Sequence, residues 1–163
     1  MDYTALYQSP LGGIMMASDG KALSGLWFDG QKYFGDVLAT EHEASPDLPI
    51  FAEVRRWLDC YFSGKNPGFM PPIKLRGSDF RKRVWQVLLT IPYGQTTTYA
   101  TIARKIGCKS AQAVGGAVGH NPLSLIIPCH RVVGSNGSLT GYAGGIDRKL
   151  RLLQMEGGKN SFH

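Results

Sequence analysis

The chain has little that would place it outside the cell. Its opening stretch, MDYTALYQSP, has neither the basic segment nor the apolar core of a secretory signal peptide. No apolar run approaches the roughly 18 residues that a membrane-spanning helix needs. Cysteine is sparse: Cys60, Cys108 and Cys129 form an odd set at irregular spacing, which is no disulfide framework. CxxC is absent, and His42, His120, His130 and His163 do not fall at zinc-ligand spacing. There is no internal repeat and no low-complexity tract. A cytoplasmic, soluble protein of one domain or two small ones is expected, with no metal and no membrane association. Its 163 residues are 43% hydrophobic, enough for a proper core.

Acid is also scarce, but only in one half. Residues 1–72 hold five Lys/Arg against nine Asp/Glu, a net of −4; residues 73–163 hold thirteen against three, a net of +10. A charge run is usually a solvated face, yet a split this large points to nucleic-acid contact by the second half. Charge alone does not separate DNA from RNA. The sign changes near the loop-like GKNPGFMPP, residues 64–72, so a first domain over 1–72 and a second over 73–163 are expected.

The first third reads as a β-meander. YTALY (3–7), GIMMAS (13–18) and ALSGLWF (22–28) are short and apolar, with Asp19-Gly20 and Asp29-Gly30 as turn signals between and after them. Residues 31–48 look acidic and irregular. Pro49 then opens a helix with Phe51, Val54, Leu58 and Tyr61 on one face. The second half is helical. Ser78 or Asp79 caps a helix with Phe80, Val84, Val87, Leu88 and Ile91 as its core side. Thr98 caps the next, with Tyr99, Ile102, Ala103 and Ile106 in phase. Gly107-Cys108-Lys109 makes a tight turn, and a third helix starts at Ser110. Two short helices about such a turn form the helix-turn-helix pattern.

That third helix, SAQAVGGAVGHNP, is rich in glycine and alanine. An interior glycine costs about 1 kcal/mol relative to alanine, so helix propensity does not explain it. Either the helix packs very closely on a neighbouring one, or its small-residue face enters a groove of a nucleic-acid duplex, where a narrow minor groove would suit it.

The cysteine in IIPCHRVVG, residues 126–134, follows an apolar stretch read as a buried strand or extended segment. The plain reading of any one cysteine is a buried, inert thiol; Cys60, beside Tyr61 and Phe62, fits it, and Cys108 reads as an incidental surface thiol. Cys129 differs because His130 follows it. A thiolate is the nucleophile, a histidine can take the proton, and a carboxylate can orient the imidazole. The second half offers only Asp79, Asp147 and Glu156. Asp147 suits the cap of a last helix over 147–156. Glu156 ends that helix, where a carboxylate opposes the macrodipole, so something else must hold it there. Adjacent Cys and His side chains do not readily bond each other, so a bridging water or a sharp turn is expected. The residues alone thus reach a DNA-binding protein with a reactive cysteine.

NPLSLIIPCHRVVGSNGSLTGYAGGIDRKLRLLQMEG closely resembles the active-site region of the O6-alkylguanine-DNA alkyltransferases, also called methylated-DNA–protein-cysteine methyltransferases. The likeness extends from FRKRVWQVLLTIPYGQTTTY through AVGGAVGHNP to Glu156. PCHR followed by V, G-Y-x-G-G and L-L-x-x-E-G at these spacings carries it, and the first half resembles the family's variable N-terminal domain far less specifically. The resemblance implies an α+β protein: a ribonuclease-H-like antiparallel meander with a helix, then a winged-helix-like helical domain. It implies a monomeric repair protein acting once on double-stranded DNA without a cofactor, taking alkyl groups from O6-alkylguanine and from O4-alkylthymine. Cys129 is the implied acceptor, deprotonated by His130 through a water, with Glu156 orienting His130. Asn121 holds the hinge between recognition helix and active site, and Tyr99 serves the departing guanine oxygen. Tyr142, Ala143 and Gly144 wall the base pocket opposite Val132. Ser110, Ala111, Gln112, Ala113 and Gly115, with Arg131 and Ser135, are the implied DNA contacts. The target base must leave the stack.

One position departs from the family pattern. Relatives commonly carry arginine just before AVGG, where it replaces the flipped nucleotide, and this chain has Gln112. The zinc ligands of some relatives' N-terminal domains have no evident counterparts either. Two other readings compete. A non-catalytic DNA-binding regulator leaves Cys129, His130 and Glu156 without a task. A hydrolytic cysteine enzyme leaves the +10 half unexplained.

Overall fold

The computed structural model describes residues 1–139 and 141–157, so Thr140, His163 and the rest of the C-terminal tail lie outside the described residues. The chain divides into two compact units, Met1–Arg76 with Pro122–Ser124, and Gly77–Asn121 with Leu125 onward.

The first unit is built on a four-stranded sheet. β1 (Asp2–Ser9), β2 (Gly12–Ser18) and β3 (Leu23–Phe28) form the antiparallel meander, and β4 (His42–Ala44) lies parallel to β1, giving the order β3-β2-β1-β4. β4 falls in the stretch read as irregular. It is three residues long and wholly exposed, so it carries no alternating pattern to read. Helix α1 (Pro49–Phe62) starts at its proline and packs on β1 and β3, burying Phe51, Val54, Leu58 and Tyr61, and also Ile50 and Trp57.

β3 is buried along its whole length although it is an edge strand. Its outer edge is closed by two separate segments. Leu23 N–H donates to Pro72 O and Lys74 N–H to Leu23 O; Leu26 N–H donates to Pro122 O and Ser124 N–H to Leu26 O. Pairing of this kind satisfies an edge that would otherwise invite aggregation. It also explains why residues 73–76 go with the first sheet rather than with the second half. Ile73 bridges Leu23, and the Arg76 guanidinium clasps the buried Asp2 carboxylate at 2.6 and 2.9 Å.

The second unit begins with α2 (Asp79–Leu88), capped by the Ser78 hydroxyl, which accepts the Arg81 N–H. Its buried side is Val84, Trp85 and Leu88; Phe80 and Val87 are only half-buried. The apolar stripe is thus turned toward Trp85, whose indole N–H donates to Ala117 O at 2.8 Å. Helix α3 (Tyr99–Ile106) is capped by Thr98 and ends at Gly107, whose left-handed φ of 68° makes the sharp turn into α4 (Ala111–Gly119). This is the helix-turn-helix. Two short strands, β5 (Thr97–Thr98) and β6 (Val132–Val133), pair in parallel and tie the start of α3 to the residues just after Cys129. Helix α5 (Ile146–Met155) closes the unit. Its N-cap is Gly145, so Asp147 stands in the first turn and not at the cap. The segment after Asn121, expected as a buried strand or extended segment, is buried, but it is no regular strand: Leu123 makes one isolated bridge to Leu26 and residues 124–126 form a turn, with Leu125 at φ 73°. Among the described residues no helix is long and apolar enough to cross a membrane.

Candidate active site

Cys129 is fixed by a tight turn. Pro128, at φ −80° and ψ 65°, has the geometry of an inverse γ-turn, and the Cys129 N–H donates to Ile127 O at 2.7 Å. The Asn121 amide donates to the same carbonyl at 2.7 Å. Asn121 follows α4 and is 3% exposed, so it fastens the end of the small-residue helix to the turn that presents the thiol. Cys129, His130 and Arg131 then form a single 3-10 turn, all buried.

His130 finds its partner at the C-terminal end of α5. His130 Nε2 lies 2.6 Å from Glu156 Oε2. Glu156 also accepts from Arg131 Nε at 2.8 Å, from Arg131 Nη2 at 3.1 Å and from the Gly94 N–H at 3.1 Å. These donors are what hold a carboxylate at the end of α5 against the helix dipole. Burial pushes the Glu156 carboxyl up, but the His130 and Arg131 contacts overcome it and hold it well below the usual carboxylate range. Glu156 is therefore an anion at neutral pH and can only accept. The proton between it and His130 must sit on Nε2, which leaves Nδ1 as the basic nitrogen of a neutral ring. Burial favours that neutral ring and lowers the His130 pKa, against the pull of Glu156.

The thiol is not activated at rest. Burial pushes Cys129 up to about 11, against the Asn121 hydrogen bond, the Lys149 ammonium and nearby backbone N–H groups. Neutral pH leaves it protonated, so a base is required. The arrangement is that of a buried thiol on the same turn as a neutral, oriented imidazole.

Around this centre the other sequence candidates scatter. Tyr99 opens α3 half-buried, with its hydroxyl 3.5 Å from Gly141 O. Tyr142 and Ala143 are half-buried and Gly144 is buried in the loop before α5; a Cβ on Gly144 would lie 2.6 Å from the Tyr142 ring. Val132 is fully buried in β6, opposite Thr97. On α4, Ala111, Gln112 and Ala113 are exposed and Gly115 half-buried, while Ser110 is exposed and its hydroxyl caps the helix. A Cβ added at Gly115, Gly116 or Gly119 would meet nothing within 4 Å. Close helix packing therefore does not explain these glycines. Ser135 is exposed after β6.

Arg131 corrects an expectation. The resemblance implies a DNA contact for it, yet it is 9% exposed. Its guanidinium is committed to Glu156 and to Ile91 O at 2.7 Å, and lies over the Tyr93 ring. It braces the Glu156 carboxylate, tying the 3-10 turn to the end of α5. Cys60 and Cys108 are both half-buried, neither a core thiol nor a fully exposed one. Sequence reasoning missed the Gly94 N–H, Trp85 and Lys149. For Lys149 a signal existed: in IDRKLRLLQM it falls at i−3 and i−4 to Leu152 and Leu153, on the buried side. Among the described residues no group of three or more His, Cys, Asp or Glu is placed to hold a metal ion.

Comparison with known proteins bears on both units. The family model described as 6-O-methylguanine DNA methyltransferase, DNA binding domain, matches residues 79–158, and its ribonuclease-like domain matches residues 3–75. A methylated-DNA–protein-cysteine methyltransferase of Mycobacterium tuberculosis is 45% identical over 91% of this chain and 88% of its own. One from Methanosarcina acetivorans is 41% identical over 95% and 98%. Among solved structures, M. tuberculosis OGT in complex with DNA superposes with a TM-score of 0.87 at 42% identity, covering 94% of this chain and 92% of that one. An O6-methylguanine DNA methyltransferase from Methanococcus jannaschii gives 0.67 at 32% identity, covering 93% and 92%.

Proposed function

The chain belongs to the methylated-DNA–protein-cysteine methyltransferase family, and on that premise we propose that it repairs DNA by taking the alkyl group of O6-alkylguanine onto Cys129. The observation that carries this reading is the buried His130–Glu156 contact at 2.6 Å on the turn that also carries the buried Cys129 thiol. His130 Nδ1 accepts the Cys129 proton, through a water. The thiolate sulfur attacks the alkyl carbon as the carbon–O6 bond breaks, and its electron pair goes to the guanine. Tyr99 donates a hydrogen bond to the departing oxygen, and the proton that His130 took from the thiol is given up to the base, so that neutral guanine leaves. The products are guanine and a cysteine thioether. A thioether has no activated carbonyl for water to attack, so each molecule reacts once.

The target base is reached by flipping, with the exposed, small-residue face of α4 against the minor groove and Gln112 in the vacated stack. Tyr142, Ala143 and Gly144 wall the pocket that receives the base. Gln112 is neutral where relatives use arginine. Gln112→Arg is expected to tighten binding to a lesion-bearing duplex and to steepen log Kd against log salt by about one counterion. A salt titration by fluorescence anisotropy reads both, and an unchanged slope rules out this role for the position.

The reading as a whole is tested by intact-protein mass spectrometry after incubation with a duplex carrying one O6-methylguanine. A gain of one methylene mass, saturating at one per protein and located on Cys129, is expected. DNA binding without any mass change would make the protein a lesion-sensing regulator instead.

A further inference from the structure

Helix α4 stops where its backbone has a donor ready to go on. The Asn121 N–H would carry the helix one residue further by donating to Ala117 O; it donates to Val118 O instead, at 3.3 Å. Ala117 is 2% exposed, so its carbonyl stands in the interior without its helical donor. A buried carbonyl left unmet is costly. This one is met from outside the helix: the indole N–H of Trp85, on α2, donates to it at 2.8 Å.

The indole is held to that task. Trp85 is 1% exposed, and its ring lies against Gly77, where an added Cβ would come 2.5 Å from it. Nε1 is the one polar atom of the side chain and can only donate. Filling the space between α2 and α4 needs the ring, which phenylalanine would also supply in part. Meeting Ala117 O needs the N–H. The two tasks can therefore be told apart by experiment.

What the indole prevents matters for the thiol. Were the Asn121 N–H to answer Ala117 O, residue 120 would join the helix and Asn121 would be drawn onto the helical path. The Asn121 side-chain amide now donates to Ile127 O at 2.7 Å, and the same carbonyl receives the Cys129 N–H. A longer α4 would carry that amide away from Ile127 O and loosen the turn that presents Cys129. We propose that Trp85 is a positioning residue for alkyl transfer: its indole N–H, by taking Ala117 O, ends α4 at Gly119 and lets Asn121 turn out of the helix to brace the Cys129 turn. The proposal rests on the transfer reading above. Trp85 acts through Asn121 and Ile127, not on the sulfur.

This role fixes which quantity moves. The exposed Ala111, Gln112 and Ala113 stand at the opposite end of α4 from the Trp85 bond, so DNA affinity does not depend on that bond. The indole N–H bears instead on the rate within the bound complex, where a reacting group misplaced by about 1 Å can lose about 10²-fold. A merely structural loss would lower the urea midpoint and leave the rate of the folded protein as it was.

The experiment replaces Trp85 in the full-length protein with benzothienylalanine, in which sulfur stands in for the N–H in a ring of nearly the same shape. The conservative variant carries 7-azatryptophan there and keeps the N–H. Single-turnover methyl transfer is measured at saturating O6-methylguanine duplex, and Kd for that duplex by fluorescence anisotropy. The benzothienylalanine protein should be slower by about 10- to 100-fold, with Kd unchanged, and the 7-azatryptophan protein should match the native one. A folded benzothienylalanine protein that transfers at the native rate overturns the proposal, and so does an equal loss in both variants, which would belong to the ring and not to the N–H. If the benzothienylalanine protein does not fold by circular dichroism, hydrogen exchange in the native protein decides. The Trp85 indole proton should then exchange as slowly as the buried amides of α4, and exchange far faster than theirs overturns the proposal. No transfer by the native protein would instead sink the repair reading itself.

Discussion

Glu156→Gln should cut the single-turnover rate of alkyl transfer by about 10²- to 10⁴-fold while leaving DNA affinity unchanged. The carboxylate accepts from His130 Nε2 and from Arg131 Nε and Nη2. Glutamine has the same shape but brings an NH2 group, which can only donate. Turned toward His130, that group forces the ring proton onto Nδ1 and leaves the basic nitrogen facing the wrong way. Turned toward Arg131, it sets donor against donor. The same substitution leaves the Arg131 guanidinium, 9% exposed, without its counter-charge. Removing one partner of a buried pair costs about 3–5 kcal/mol. A domain of ordinary stability, about 5–15 kcal/mol, survives that loss with a lower urea midpoint. Transfer rate and urea midpoint should therefore both fall. A folded Glu156→Gln protein that transfers at the native rate would remove His130 and Glu156 from the mechanism.

The two halves of this relay were not equally legible in the sequence. His130 declares itself by standing next to Cys129, and Glu156 by its uneasy place at a helix end. Arg131 gave the opposite impression. In a half-chain with a net charge of +10, a cation beside the active cysteine reads as a phosphate contact. What reverses that reading is the 3-10 turn, which swings residue 131 inward over Tyr93 and onto Glu156. A turn of three residues has no periodicity to betray it. The helices show the same contrast. The caps Ser78, Thr98 and Ser110 and the left-handed Gly107 are local chemistry, and all four act as their residue types suggest. The orientation of α2 is set by tertiary packing, and the Trp85 bond to Ala117 O turns its buried face away from Phe80 and Val87. Likewise β4, and the pairing of Pro72 and Pro122 with the edge of β3, depend on partners distant in sequence. The glycines of α4 lie between these cases. Their number was plain, but only the open space around Gly115, Gly116 and Gly119 shows that no neighbouring helix requires them.

The second large effect is on acid stability. His130 is fully buried and its pKa is lowered in the folded protein, chiefly by desolvation. Its ordinary value is 6.5. As pH falls below that value, the unfolded chain takes up a proton that the folded protein refuses. Stability must then decline by up to about 1.4 kcal/mol per pH unit until the folded-state pKa is reached. Glu156 adds to this at lower pH. Its carboxyl is depressed in the folded state from an ordinary 4.5, so below pH 4.5 the unfolded chain gains a second proton that the native relay excludes, and the slope steepens. Asp19, held to about 2 by the backbone N–H groups of Ala22 and Lys21, contributes only below its ordinary 3.8. The interval from pH 6.5 to about 5.5, above the range in which an ordinary carboxyl takes up its proton, therefore isolates the histidine. Urea midpoints measured across it should fall steadily for the native protein. His130→Gln, whose amide can still donate to Glu156 but cannot titrate, should stay level over the same interval. A native protein level from pH 6.5 to about 5.5 would mean that His130 is already a cation at rest. Nδ1 would then carry a proton before the thiol arrives, and the base that the transfer requires would have to be another group.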